Sequence, residues 1–445
     1  MNETQISEKA DFLIKKSKKS GADSVDVLYV ENTNIDIGSR LKRIEKLERS
    51  ESNDMGLRFI KDKRQVMVSS NDLNKKSLEE LVFKASKMVK AVPKDPYCSI
   101  ATKKDMIKRI PDLKIFENKE PSIKSLKDKV IEAEKAGLNV KGVTNSEGAE
   151  ITWNKSKIHL FNSNGLNVNY QSSGHTIYAV LIAGKGTSME REYEFASSVF
   201  EKDLTKASLV GKKAGEFAVR KLNPKKIKTS KIPVIFSPRV ANSFLKHLSN
   251  SINGNSITRG TSFLKKKLNK KIFSSDINIV DDPLRKRGLQ SKPFDGEGLE
   301  TKKTQIVENG VLKTWFLDLA TASQLKLKST AHASRGISSP PTPSPTNLYF
   351  EPGNTPPKNL IRNIKKGIYL TELMGSSVNL INGDYSRGGS GFWIDKGEIT
   401  YPINEITIAD NLNDMFKKIT LANDLEFKQG LNSPTMLIEN MIVAG

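Results

Sequence analysis

Apolar and polar positions along the chain follow two periods in turn. Over residues 5–20, Ile6, Ala10, Leu13 and Ile14 recur every three or four positions, with Ser17 on their side and lysines opposite. That spacing predicts an amphipathic helix, and Gly21 supplies its stop. Short alternating runs follow at Val25–Val30, Ile35–Ser39, Leu47–Ser50, Leu57–Ile60 and Gln65–Ser69, with a hairpin turn at Lys61–Arg64. Ser77–Val89 reads as a second helix, opened by a capping box of Ser77 and Glu80. Pro93–Pro111 carries three prolines and a charge run, which predicts a linker.

The pattern then recurs. A helix at Ile123–Ala136 stops at Gly137, and strand-like runs follow at Val140–Thr144, Ala149–Trp153, Lys157–Ser163, Leu166–Ser172 and Thr176–Ala183. Turn signals at Asn145–Gly148 and Asn162–Gly165 separate them, and a helix over Leu204–Leu222 closes the unit. Beyond it, Ile232–Phe236 reads as a buried strand and Pro238 as the first turn of a helix to about Asn250. Hairpins are expected around Glu308–Gly310 and Lys396-Gly397, whereas Ser338–Thr346 (SSPPTPSPT) reads either as a flexible linker or as an ordered extended loop. The expected fold is α+β. Helix–antiparallel-meander–helix units occupy residues 1–110 and 111–225, and a β-rich, barrel-like domain occupies 226–445.

Composition narrows the function. Cys98 is the lone cysteine, which excludes a disulfide framework and a Cys-rich zinc module. The N-terminus has no apolar core of a secretory signal, and Ile177–Ala183 falls far short of the ~20 apolar residues that span a bilayer, so a cytoplasmic protein without a membrane partner is expected. Lysine and arginine total 72 against 50 acidic residues, a net charge of +22. The lysines are dispersed and not interleaved with aromatics, so nonspecific nucleic-acid binding is the most that charge alone implies.

The residues themselves offer little catalytic chemistry. The four histidines, His159, His175, His247 and His332, include no pair at the spacing that places two imidazoles on one helix face. No GxSxG elbow is present, and Cys98 lies in the expected linker. Asp281-Asp282 before Pro283 reads as a turn, and Asp295-Gly-Glu-Gly298 as either a turn or an acidic loop lining a site. Asp384–Gly391 (DYSRGGSG) is glycine-rich, yet a hairpin rather than a helix follows it, which argues against a phosphate cradle. A strand that another chain's backbone approaches closely, at Gly388, Gly389 and Gly391, fits better.

Several longer strings carry a resemblance: Phe294–Gly298 (FDGEG), Glu308–Lys313, Ser338–Tyr349, Val378–Trp393 and Tyr401–Leu412. They resemble the TldD/TldE (PmbA) peptidases, also described as modulators of DNA gyrase, and the likeness extends over essentially the whole chain. It implies that the Pro-rich tract is an ordered element. In TldD-like members a His-Glu-x-x-x-His helix and a later cysteine hold zinc; here the matching helix has His247 alone, and residues 427–445 have no cysteine. The resemblance is therefore to the metal-free TldE member. It implies a heteromeric metallopeptidase in which this chain binds no cofactor, a TldD-like partner subunit carries the zinc, and unfolded peptides are the substrates. It further implies no catalytic or metal-ligating residue here, and chamber- or substrate-lining roles for Arg259, Thr261, Ser262, Glu297, Asp384, Arg387, Gly388 and Gly389. The alternative is a nucleic-acid-associated regulator, a DNA gyrase modulator without a proteolytic role.

Overall fold

The computed structural model describes residues 1–375 and 377–445. The N-terminal half runs α1 (Glu3–Lys19), β1 (Ser24–Arg40), β2 (Arg43–Lys61), β3 (Arg64–Ser70), α2 (Lys75–Met88), α3 (Ile123–Leu138), β4 (Val143–Asn162), β5 (Asn167–Ala183), β6 (Glu190–Ser198) and α4 (Ala207–Arg220). Its strands form one sheet in the order β3-β2-β1-β4-β5-β6, and β1 pairs antiparallel with β4 from Asp26–Asn162 to Ser39–Ala149. The two helix–meander–helix units thus share a sheet.

These strands are much longer than the runs expected from alternation. β1 passes unbroken through Glu31–Asn34, and β2 through Leu47–Asn53, which is exposed throughout. Ladder pairing satisfies the backbone whatever the side chains are, so a polar stretch does not end a strand. Asn145–Gly148, expected as a turn, lies inside β4 as two bulges, with Gly148 at φ +116°. Strand β6 is not among the runs expected from alternation.

Two helix ends differ as well. Asn74, not Ser77, caps α2 and accepts from the Ser77 backbone N–H at 2.9 Å. Gly137 does not stop α3 but sits inside it, where a Cβ would meet the Gly211 carbonyl of α4 at 2.8 Å. It is a packing glycine.

β1 serves two cores in succession. Val25, Val27 and Tyr29 pack with Ile6, Leu13 and Leu81 of the first helix pair, and Ile35 and Ile37 with Val130, Ala133 and Ala214 of the second. On the opposite face of the sheet, Leu28, Leu160 and Leu166 meet Ile107 and Phe294. The stretch Pro93–Pro111 lacks helix and strand, yet it buries Cys98, Ile100, Ala101 and Ile107. It is a packed strap, and burial pushes the Cys98 thiol pKa up.

The C-terminal half opens with β7 (Ser230–Phe236), α5 (Pro238–Ser251) and α6 (Gly254–Arg259), with α7 (Leu319–Gln324) further along. A sheet runs Glu398–Asn411, Asp384–Asp395, Lys366–Met374, β7 and Met436–Ala444, and the first strand pairs with the last at Thr407–Ala444, closing a five-stranded barrel. Phe244, Leu245 and Leu248 of α5 pack with Ile368, Ile408 and Ile438 of its strands. The Pro-rich tract is ordered: Ala333-Ser334 pairs with Thr342-Pro343, and the chain continues into the buried strand Leu348–Phe350. Asp281, expected in a turn, is fully buried in a short strand and accepts from the Thr346 backbone N–H at 2.8 Å and its hydroxyl at 2.7 Å.

Candidate functional site

Helix α5 is set by Pro238 at its first position and by one apolar face turned to the barrel. His247 stands near its C-terminal end, edge-on to the Tyr385 ring with centroids 5.9 Å apart. Its Nε2 is buried without a hydrogen-bond partner among the described residues. Burial first, then the positive charges of Arg387 and Lys246, lower its pKa to about 4. One helical turn away, the Ser251 hydroxyl donates to the His247 carbonyl at 2.8 Å. Among the described residues, no three histidine, cysteine, aspartate or glutamate side chains group to hold a metal ion. A zinc site does not fit here: the side chains beside the imidazole are a phenol and a guanidinium.

The segment after α6 lies close by. Gly260 ends that helix at φ +75°, which leaves Arg259 and Thr261 exposed. Ser262 is buried, donating to the Ser251 carbonyl at 2.5 Å and accepting from Leu264 N–H at 3.0 Å, so it pins the segment to α5. Phe263 N–H donates to the Leu380 carbonyl at 2.9 Å, bringing this segment against the approach to the strand Asp384–Asp395.

That strand carries Asp384, Arg387, Gly388 and Gly389. Asp384 is exposed and accepts from the Asn382 and Asn411 amides at 2.6 and 3.0 Å. Arg387 is half-buried, its Nε donating to the Gly375 carbonyl at 3.0 Å. The close backbone approach expected at the glycines comes from the chain's own neighbouring strand. A Cβ at Gly391 would meet the Tyr369 carbonyl at 2.2 Å, and one at Gly389 would meet Leu370 Cδ1 at 2.9 Å and the Glu372 carbonyl at 3.0 Å. A Cβ at Gly388 would meet ordinary contacts from 3.5 Å.

The acidic loop is both a turn and a charged centre. Asp295 Oδ1 accepts from Glu297 and Leu299 N–H, and Oδ2 from Ala333 N–H. Glu297 is buried too; it accepts from Leu319 N–H at 2.8 Å and lies 4.0 Å from the buried Arg58 guanidinium. Arg58 also pairs with Asp26 at 3.3 Å, and Asp26 with Arg335 at 2.5 Å. Desolvation raises Asp295 to about 6 and Glu297 well above the usual carboxylate range. Ser262 and Glu297 are thus committed to the chain's own bonds, whereas Arg259, Thr261 and Asp384 are exposed.

This raised pair sets a sign for pH dependence. The folded state holds protons that the unfolded chain releases above the ordinary carboxylate range, so the pair costs stability increasingly as pH rises from about 4 through about 6 and beyond. Glu297→Gln should therefore raise the melting temperature relative to the parent at pH 8 and lose that advantage at pH 5. A variant hurt more at pH 8 than at pH 5 would show that ionised Glu297 supports the fold.

A cavity of about 400 Å³ between β6, α4 and the start of α5 is not signalled by any motif in the sequence. There Arg239 lies over the Tyr193 ring at 3.7 Å, and buried Glu192 receives Lys221 at 2.7 Å and Arg239 at 2.8 Å. Its parts come from distant positions, so no local motif marks them.

Three family models match consecutive parts of the chain: PmbA/TldA metallopeptidase domain 1 over residues 25–89, the central domain over 116–222, and the C-terminal domain over 229–445. Metalloprotease PmbA of Escherichia coli O157:H7 is 33% identical over 426 residues, 95% of this chain and 93% of that protein. Among solved structures, a Bacteroides thetaiotaomicron protein proposed as a modulator of DNA gyrase superposes with a TM-score of 0.91 at 25% identity, covering 99% of this chain and 98% of that one. TldE from Thermococcus kodakarensis shares the fold, with a TM-score of 0.88 at 23% identity over 98% of this chain and 100% of its own. Consecutive family matches along the chain, and one-third identity to a full-length relative, establish that the chain belongs to the PmbA/TldA metallopeptidase family.

Proposed function

We propose that this chain is the non-metal-binding subunit of a two-chain metallopeptidase that acts on unfolded peptides. The observation that carries this reading is the donor set on α5: His247 lies beside Tyr385 and Arg387, and among the described residues no three histidine, cysteine, aspartate or glutamate side chains group to hold a metal. A guanidinium beside an imidazole of lowered pKa repels a dication rather than recruiting one. Zinc and the activation of water would then belong to a TldD-like partner.

In this reading the chain supplies walls and binding surface. Arg259, Thr261, Asp384, Arg387 and Gly388 would face the peptide chamber, and Ser262, Glu297 and Gly389 would support its walls from within the fold. Extended peptide held mainly through backbone hydrogen bonds tolerates many sequences, as a peptidase for unfolded chains requires.

The direct test is metal content. The purified chain, dialysed against dilute zinc, should retain far less than one zinc per chain, and His247→Ala should leave that value unchanged. Near-stoichiometric zinc that disappears with His247→Ala would overturn the reading.

A further inference from the structure

A second cavity, of about 430 Å³, lies between the outer face of the N-terminal sheet and the segments 292–296 and 334–337. Val30, Ile158, Leu160, Tyr170, Phe294 and Ile337 give it apolar walls, and Arg335 and Lys292 bring positive charge to it. The Arg335 side chain is only 2% exposed. Its Nη1 donates to Asp26, while its Nε and Nη2 are buried with no hydrogen-bond partner among the described residues. Those two nitrogens form one edge of the planar guanidinium, a parallel pair of N–H donors that matches the two oxygens of a carboxylate. Lys292 reaches the Ser334 hydroxyl at 3.4 Å, next to Arg335 in the chain, and desolvation lowers its pKa.

Nearby acids do not answer these donors. Asp295 spends its oxygens on three backbone N–H groups, and Asp26 is shared between Arg58 and Arg335. Asp54, the other acid lining the cavity, is half-exposed. Buried donors left unanswered are costly, and a group of this charge in an apolar enclosure is the usual construction of a ligand site.

We propose that this cavity binds a small organic monocarboxylate with an apolar body, its carboxylate on the Nε–Nη2 edge of Arg335 and its body against the Ile158–Tyr170–Phe294 wall. That chemistry is shared by the C-terminal residue of a peptide and by a free short-chain acid. The proposal does not depend on the two-chain reading.

Calorimetric titration of the full-length chain tests it, with N-acetyl-L-leucine for a peptide end and hexanoate for a free acid. N-acetyl-L-leucinamide, hexanamide, acetate and phosphate are the comparisons. At least one of the two acids should bind saturably, one per chain, with its amide at least about tenfold weaker because the amide cannot receive both N–H donors as an anion. Preference for N-acetyl-L-leucine would identify a peptide end and preference for hexanoate a free acid; both support the site. Arg335→Lys keeps a charge for Asp26 but lacks the paired edge, and should weaken the acid about tenfold. Should that variant fold poorly by melting temperature, Val30→Phe, which fills the cavity, should abolish binding instead. Equal binding of acid and amide, phosphate binding as tightly as either acid, or no saturable binding by either acid up to about 10 mM would overturn the proposal.

Discussion

Gly211→Ala is expected to destabilise the protein, although the same change at an exposed helix position would stabilise it by about 1 kcal/mol. Gly211 lies on α4 where it crosses α3, and a Cβ there would stand 1.7 Å from the Ala133 carbonyl oxygen. The contact is backbone, so no side chain can rotate away. Gly215 and Gly137 extend the same crossing: a Cβ at Gly215 would meet the Gly137 carbonyl at 2.9 Å. Relieving the clash requires the two helices to separate, which opens the core of Val130, Ala133, Ile151 and Ala214. A net loss of about 3 kcal/mol is expected for alanine, the upper end for overpacking, and more for valine. Urea unfolding of Gly211→Ala reads it directly; an unchanged or raised midpoint would mean that α3 and α4 do not cross at this distance.

Arg58→Met should be the most damaging change of a charged residue, at about 3–5 kcal/mol. Its guanidinium is 2% exposed, donates to Gln65 at 2.9 Å and pairs with Asp26, with Glu297 at 4.0 Å. Methionine fills much of the volume but leaves Asp26 with Arg335 alone and Gln65 without its guanidinium donor. The exposed pair Lys16–Glu79 offers the contrast: at 3.3 Å it has similar geometry, yet Lys16→Met should cost under about 1 kcal/mol. A double-mutant cycle with Asp26→Asn separates the pair from simple loss of packing. If Arg58→Met and Asp26→Asn add without coupling, the buried network is not what holds the sheet to the C-terminal half.

How far the sequence reveals this structure depends on where each signal lies. Helices α1 and α5 are legible because their apolar period and the proline of α5 are local. Strand continuity is not: Leu47–Asn53 is exposed on both sides of a long hairpin, so it lacks the alternation that marks a half-buried strand. Gly137 looks like a helix stop in the sequence because glycine commonly ends helices, whereas only the position of α4 reveals it as a contact. The lone imidazole of α5 is visible in the sequence, and so is the acidic loop at Asp295–Gly298. What that loop faces is not visible. Arg335 lies between a Ser and a Gly with nothing local to mark it, and its partner Asp26 is 309 residues away. Long-range pairs of this kind line both cavities described above, which is why neither is legible along the chain.

Whether this chain needs a metal-bearing partner is decided by titrating it against a purified TldD-like chain on an unstructured peptide, with cleavage read by mass spectrometry. The expected result is no hydrolysis by this chain alone, activity that rises with added partner and saturates at a fixed ratio, and its complete loss on chelation. His247→Ala in this chain should leave the saturated rate nearly unchanged. Chelator-sensitive cleavage by this chain alone, free of partner and abolished by His247→Ala, would mean that this chain carries a catalytic metal site of its own.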